Sequence, residues 1–204
     1  MGAPVRLFLA SSNPGKLGEF RTLAEEGEFS RQFTVATLPS FSSVPEFVED
    51  YPTFAENAAG KALYYSHLQD GLIFADDSGL VVPALGGAPG VLSARYAGPN
   101  STNAECIAKL LKAMESKSGT ERSAHFVCVI AIAKQGRPLA VVSERVDGEL
   151  LGAPRGTGGF GYDPVFSFPA YGKTFAELSA AEKNKFSHRG KAFRRLLDCI
   201  SSML

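Results

Sequence analysis

The feature that most constrains this chain lies at its start. An apolar run over residues 5–10 meets the polar turn Ser11-Ser12-Asn13-Pro14-Gly15, and behind it Leu17, Phe20, Leu23 and Ala24 recur at helical spacing. A short apolar run between polar residues fits a strand buried on both faces, and the i, i+3, i+4 pattern fits a helix packed along one stripe. Strand, tight polar loop and helix form the opening of an α/β fold, because such a strand must be covered by helices. The alternation continues. Residues 32–38 read as a second strand, and Thr53-Phe54-Ala55-Glu56 as a capping box opening a helix to about Gln69, ended by Gly71. Residues 72–75 read as a short buried strand running into Asp76-Asp77-Ser78-Gly79, with a further apolar stretch at 80–82. Ser101 or Thr102 caps a helix to about Lys117. Residues 125–133 and 139–146 read as two strands paired around Gln135-Gly136-Arg137. Ser179 and Glu182 form another capping box, and Ser187 caps a last amphipathic helix to about Ser202. Residues 39–52, 86–99 and 156–164 read as loops. The expected class is α/β with a mixed β-sheet flanked by helices.

Composition narrows what such a fold could serve. The 204 residues carry 21 Lys+Arg against 21 Asp+Glu, so the net charge is near zero. General nucleic-acid binding draws on excess Lys and Arg, so no direct nucleic-acid binding is expected, while a small anion held by a few placed cations remains compatible. The 3 cysteines, Cys106, Cys128 and Cys199, have neither metal-type nor CxxC spacing, which points to a reducing compartment. The apolar run at residues 7–10 is too brief for a signal-peptide core or a membrane span, so the expectation is a cytoplasmic protein with no membrane partner.

Several segments could carry chemistry. Ser11-Ser12-Asn13-Pro14-Gly15-Lys16 lies between strand and helix, where backbone N–H groups and a helix N-terminus meet phosphate. It is not a Walker A loop, since Leu17 follows the lysine and one glycine is present. The alternative is a polar turn with a solvated lysine; the position at a strand's C-terminal end favours an anion site. Asp76-Asp77-Ser78-Gly79 offers paired carboxylates that suit Mg²⁺, or else an Asx-type turn. Glu46, Glu49, Asp50 and Glu56 are further acids, of a kind usually solvated. Gly158-Gly159-Phe160-Gly161-Tyr162-Asp163-Pro164 could stack a base on Phe160, or bury its aromatics as core. Ser187-His188-Arg189-Gly190 brings a helix start, an imidazole and a guanidinium together, or is an N-cap followed by surface residues. His67 and His125 have no partner spacing and read as structural.

In combination these segments are more specific. SSNPGKLGEF, TFAENAAGKA, FADDSGLVVPALGGAPGVLSARYAG, GTGGFGYDPVF and ELSAAEKNKFSHRG occur in this order. Together they closely resemble the inosine/xanthosine triphosphate pyrophosphatases, in the form of the bacterial branch, over essentially the whole chain. The resemblance implies one domain over residues 1–204, with a long twisted mixed sheet, two lobes and an active-site cleft between them, usually as a homodimer. It implies Mg²⁺-assisted hydrolysis of deaminated purine nucleoside triphosphates to the monophosphate and pyrophosphate.

Residue by residue, the resemblance assigns Ser11, Ser12, Asn13, Pro14, Gly15 and Lys16 to the triphosphate loop. Asp77 becomes the catalytic aspartate and, with Glu49, a metal ligand; Lys16 acts in catalysis as a phosphate clamp. Ser78 becomes a substrate contact, and Asn57 and Lys61 would share one helix face, Lys61 towards phosphate. Phe160, Gly161, Tyr162, Asp163, Lys183, His188 and Arg189 match nucleobase-binding positions. One stretch departs from the family's EETGxTF: here it is Val48-Glu49-Asp50-Tyr51-Pro52-Thr53-Phe54, with Tyr51-Pro52 in the glycine region. Two other functions fit the same fold class: a Maf-like house-cleaning pyrophosphatase of different specificity, and a catalytically silent nucleotide-binding regulator. The segments TGGFGYDP and SHRG weigh against the first, and joint retention of Asp77, Lys16 and Glu49 against the second.

Overall fold

The computed structural model describes residues 3–26, 29–38 and 43–203. Among these, seven strands form one sheet: β1 (Val5–Leu9), β2 (Phe33–Thr37), β3 (Leu72–Val81), β4 (Ser123–Lys134), β5 (Arg137–Leu150), β6 (Phe166–Phe168) and β7 (Lys173–Thr174). Their order is β2-β1-β3-β4-β5-β6-β7. β1 pairs parallel with β2 and β3, whereas β5–β6 and β6–β7 pair antiparallel, so the sheet is mixed as expected. The helices are α1 (Pro14–Glu25), α2 (Phe54–Leu68), α3 (Asn103–Ala113), α4 (Ala180–Phe186) and α5 (His188–Ser201).

The chain divides into two compact units. The first holds residues up to Asp77, Cys128–Glu144 and those from Arg189 on; the second holds Ser78–Val127 and Arg145–His188. The first unit's core joins Leu7, Leu9, Phe74, Ile130 and Ile132 of the sheet to Phe20 of α1 and Phe193, Leu196 and Leu197 of α5. Phe20 meets Phe74 edge to face at 5.1 Å, and each fully buried side chain of this size stabilises by roughly 1.5–3 kcal/mol. The second unit's core gathers Leu80, Leu110, Val165, Phe166 and Phe175.

Several boundaries differ from the sequence expectation. The DDSG segment is not a turn. β3 runs unbroken through it, because its acids find buried partners and need no local backbone capping. α1 begins at Pro14, with Asn13 as N-cap accepting from the Lys16 N–H, so Pro14 and Gly15 belong to the helix's first turn rather than to a loop. At Thr53 only half of the capping box forms: Thr53 Oγ1 accepts from the Glu56 N–H and donates to the Glu56 carboxylate at 2.6 Å. α3 has the complete box on Thr102 but stops at Ala113, short of Lys117. The last helix falls where expected, α5 starting directly after Ser187 and ending at Ser201; Ser187 also closes α4, its N–H donating to Lys183 O at 2.8 Å. β6 and β7 were not legible, being too short to show alternation. Of the expected loop at 39–52, residues 39–42 lie outside the described residues.

Candidate active site

β1 lies between two parallel neighbours, with Leu9 level with Phe74 of β3, and the Ala10 N–H donates to Phe74 O at 2.8 Å. Two residues further along, Ser11, just past the end of β1, therefore stands level with Asp76 inside β3. Parallel register thus brings the start of the SSNPGK segment beside the DDSG acids. Ser11 is buried, and its Oγ accepts from the Asn13 N–H at 3.2 Å. Ser12, Asn13, Pro14 and Gly15 are exposed at the N-terminus of the 12-residue helix α1, where the helix dipole favours an anion. Lys16 turns inward, its Nζ 3.1 Å from Asp76 Oδ1. The solvated-lysine alternative is therefore excluded.

Asp76 and Asp77 are consecutive on a strand, so their side chains leave opposite faces, and their surroundings differ accordingly. Asp76 is fully buried in an ion chain: Lys16 on one oxygen, and Arg189 Nε 3.6 Å from the other. Arg189 in turn pairs with Glu19 of α1 at 2.5 Å. Burial alone would raise the Asp76 carboxyl, but Lys16, Arg189 and Lys61 outweigh it and hold it at about 2. The Asp77 carboxyl is pushed up to about 6, first by burial and then by the charge of Glu49, against the opposing pull of Lys16 and a hydrogen bond from Asn57. That bond runs from Asn57 Nδ2 to Asp77 Oδ2 at 3.0 Å.

Glu49 lies on the segment preceding α2, and Lys61 one turn beyond Asn57 on α2; the two form an ion pair. Burial would lower the Lys61 ammonium, yet the nearby Glu49, Asp76 and Asp77 raise it. The first unit thus brings Ser11 to Lys16, Glu49, Lys61, Asp77 and Arg189 together. Arg189 is 3% exposed and pairs with two carboxylates, which overturns the surface-residue alternative.

In the second unit, Asp163 Oδ2 accepts from Lys183 Nζ at 2.7 Å and from the Phe160 N–H at 2.9 Å. Lys183 Nζ stands 4.8 Å from the Phe160 ring centre. Gly159, with φ +70°, makes this turn possible, since a Cβ there would strike the Asp163 carboxylate. Gly161, also at positive φ, follows Phe160. Tyr162 is buried and its phenol donates to Ser93 O at 2.8 Å, so its side chain serves packing. His188 is buried and stacked on Phe126 at 4.7 Å. Ser78 is half-buried in β3. Glu19 was missed as a site-building residue, and Asp76, read as one of two paired carboxylates, is engaged instead by Lys16 and Arg189; these partners stand far off in sequence, so no spacing signal could find them.

Comparison with known proteins places the chain. The Ham1 family profile matches residues 7–199. The chain belongs to the Ham1 family. Its relatives include the dITP/XTP pyrophosphatase of Geobacillus kaustophilus, 48% identical over 93% of this chain and 91% of the relative. That of Thermus thermophilus is 45% identical over 95% of this chain and 91% of the relative. Among solved structures, a HAM1 protein from Coxiella burnetii superposes with a TM-score of 0.85 at 41% identity, covering 97% of this chain and 99% of that one. The Ham1 protein of Staphylococcus aureus does so at 0.84 and 35%, covering 98% and 100%. The Ham1 match over most of the chain supersedes the Maf-like alternative.

Proposed function

We propose that this chain hydrolyses deaminated purine nucleoside triphosphates, dITP, ITP and XTP, to the monophosphate and pyrophosphate, working as a single domain over residues 1–204. The observation that carries the reading is a buried carboxyl, Asp77, within the electrostatic reach of the cations Lys16 and Lys61, beside the exposed N-terminus of α1. Water attacks the α-phosphorus; the new O–P bond forms as the bond to the bridging oxygen breaks, and the electron pair leaves on pyrophosphate. Asp77 takes the water's proton, a role suited to a carboxyl raised towards neutrality by burial and by Glu49. Lys16, the α1 N-terminus and Lys61 bind the phosphates and neutralise charge growing on the leaving oxygens.

The donor set fits Mg²⁺. Asp77 and Glu49 repel one another, which a cation relieves. Among the described residues no three His, Cys, Asp or Glu cluster as a ready-made metal cage, in keeping with an ion that completes its shell with water and phosphate oxygens. Asp77 and Glu49 would hold it, and it would supply positive charge to the phosphate oxygens.

Base choice follows from donors. Hypoxanthine and xanthine present a 6-oxo acceptor where adenine presents a 6-amino donor, so a site donating there leaves adenine with donors facing donors. With Arg189 engaged by Glu19 and Asp76, the reading assigns this donation to Lys183, steadied by Asp163, and to backbone N–H groups of residues 160–163; stacking falls to Phe160. The protein is proposed to act in the cytoplasm as a homodimer without nucleic-acid partners. No helix among the described residues is long and apolar enough to cross a membrane.

Pyrophosphate release from dITP, XTP and dATP by the purified protein, with Mg²⁺ and with chelator, tests the reading. Release from dITP and XTP that needs the metal, with dATP slower by at least about a hundredfold, is expected of a site that reads a hydrogen-bonding edge. Equal use of dATP would overturn it.

A further inference from the structure

Asn57 is almost completely buried, at 1% exposure, in the second turn of α2. Its carboxamide makes three hydrogen bonds. Oδ1 accepts from the Tyr51 N–H at 3.1 Å, and Nδ2 donates both to Tyr51 O at 3.2 Å and to Asp77 Oδ2 at 3.0 Å. The amide orientation is unambiguous. Only an oxygen can accept from the Tyr51 N–H, so the nitrogen must face the carbonyl and the carboxylate. The side chain thereby grips both the N–H and the C=O of Tyr51, much as a neighbouring strand would, and spends its remaining N–H on Asp77.

Tyr51 is two residues from Glu49, in the stretch where this chain has Tyr51-Pro52. The same stretch is seated on α2 by further contacts. The Phe47 N–H donates to the Tyr65 hydroxyl at 3.2 Å, Phe47 stacks with Tyr51 at 6.3 Å, and a Cβ on Gly60 would stand 2.7 Å from Phe47 Cζ. The Asn57 side chain carries this stretch on to β3, holding Tyr51 and Asp77 at once.

We propose that Asn57 is a positioning residue that sets the Glu49 segment and one Asp77 oxygen against each other, so that the two carboxylates are presented together. By occupying Asp77 Oδ2, it leaves Oδ1 to the reacting water. The Tyr51-Pro52 departure is tolerated because Asn57 reads the backbone of residue 51 and not its side chain. The inference rests on the proposed pyrophosphatase reading and adds to it a group that touches no substrate.

The test is a double-mutant cycle on turnover of dITP, using Asn57→Ala, Asp77→Asn and the pair, together with amide hydrogen exchange. Loss of an outer partner of a ligating carboxylate lowers activity about 10–100-fold, and the drop is expected in kcat with KM changed little. In the Asp77→Asn background, Asn57→Ala should add no further loss, since groups acting as a unit are not additive. Additive losses, or an unchanged kcat, would overturn the proposal. If Asn57→Ala fails to fold, Asn57→Ser serves, a small neutral side chain too short to reach Asp77. In the parent, the Tyr51 amide should exchange slowly despite the exposure of its ring; fast exchange there also overturns the proposal. A parent that releases no pyrophosphate from dITP but protects the Tyr51 amide would discard the function and keep the clamp.

Discussion

At the residue scale, Asp76 and Asp77 show how neighbours in sequence acquire opposite characters. Asp76, at about 2, lies below the ordinary 3.8 because Lys16 and Arg189 outweigh its burial. Its ionised form therefore stabilises the fold above pH 4 by about 2 kcal/mol, and that contribution is lost as pH falls from 4 to 2. Asp77, at about 6, lies above 3.8 because burial and Glu49 disfavour its charge. The metal-free fold should then lose on the order of 3 kcal/mol as pH rises from 4 to 6. Asp77→Asn removes that penalty. Urea denaturation at pH 7 is expected to find this variant at least as stable as the metal-free parent, with turnover lowered by about 10²-fold or more; an unstable or active variant would contradict the assignment. Arg189→Ala should act mainly on stability, since it takes from the fully buried Asp76 one of its two cations and from the half-buried Glu19 its partner, at a cost of up to about 3–5 kcal/mol. A thermal scan with kcat/KM for dITP and dATP separates this from base reading, which would change their ratio while sparing the melting temperature.

At the element scale, glycines in two settings should respond in opposite senses. Gly159 sits at φ +70° with the Asp163 carboxylate where a Cβ would lie. Gly159→Ala must displace the Asp163–Lys183 pair, and discrimination of dITP over dATP is expected to fall, measured as the ratio of kcat/KM values. Gly18 is exposed within α1, and a Cβ there meets nothing within 4 Å. Gly18→Ala should therefore raise stability by roughly 0.5–1 kcal/mol and leave turnover alone, checked by denaturation and steady-state rates. The same element logic made much of the secondary structure legible. Apolar runs with polar borders marked β1 and the β4–β5 hairpin, whose turn at Gln135 and Gly136 has positive φ at both positions. Caps marked α2, α3 and α4. What failed were cases decided by distant partners, above all DDSG, read as a strand end and found inside β3.

At the scale of the whole molecule, a net charge near zero means that affinity for a triphosphate rests on a few placed cations and a helix end rather than on a general field. A ligand that binds the native state alone should raise stability by about 2.7 kcal/mol at a hundred times its dissociation constant. Differential scanning fluorimetry with Mg²⁺ and inosine monophosphate plus pyrophosphate checks this against adenosine monophosphate, which is expected to shift the melting point less. The order of elements up to β5 and of the closing helices, the mixed α/β class and the residue types gathered in SSNPGK, DDSG and GGFGYDP were determined by the sequence alone, because periodicity, capping and turn chemistry act over a few residues. Tertiary structure decided which of those residues work together: that Lys16 turns inward to Asp76, that Arg189 reaches Glu19 across 170 residues, and that Asn57 joins residue 51 to Asp77. These pairings depend on strand register and burial, and a buried charge takes whatever partner the fold brings within a few ångströms, at any separation along the chain.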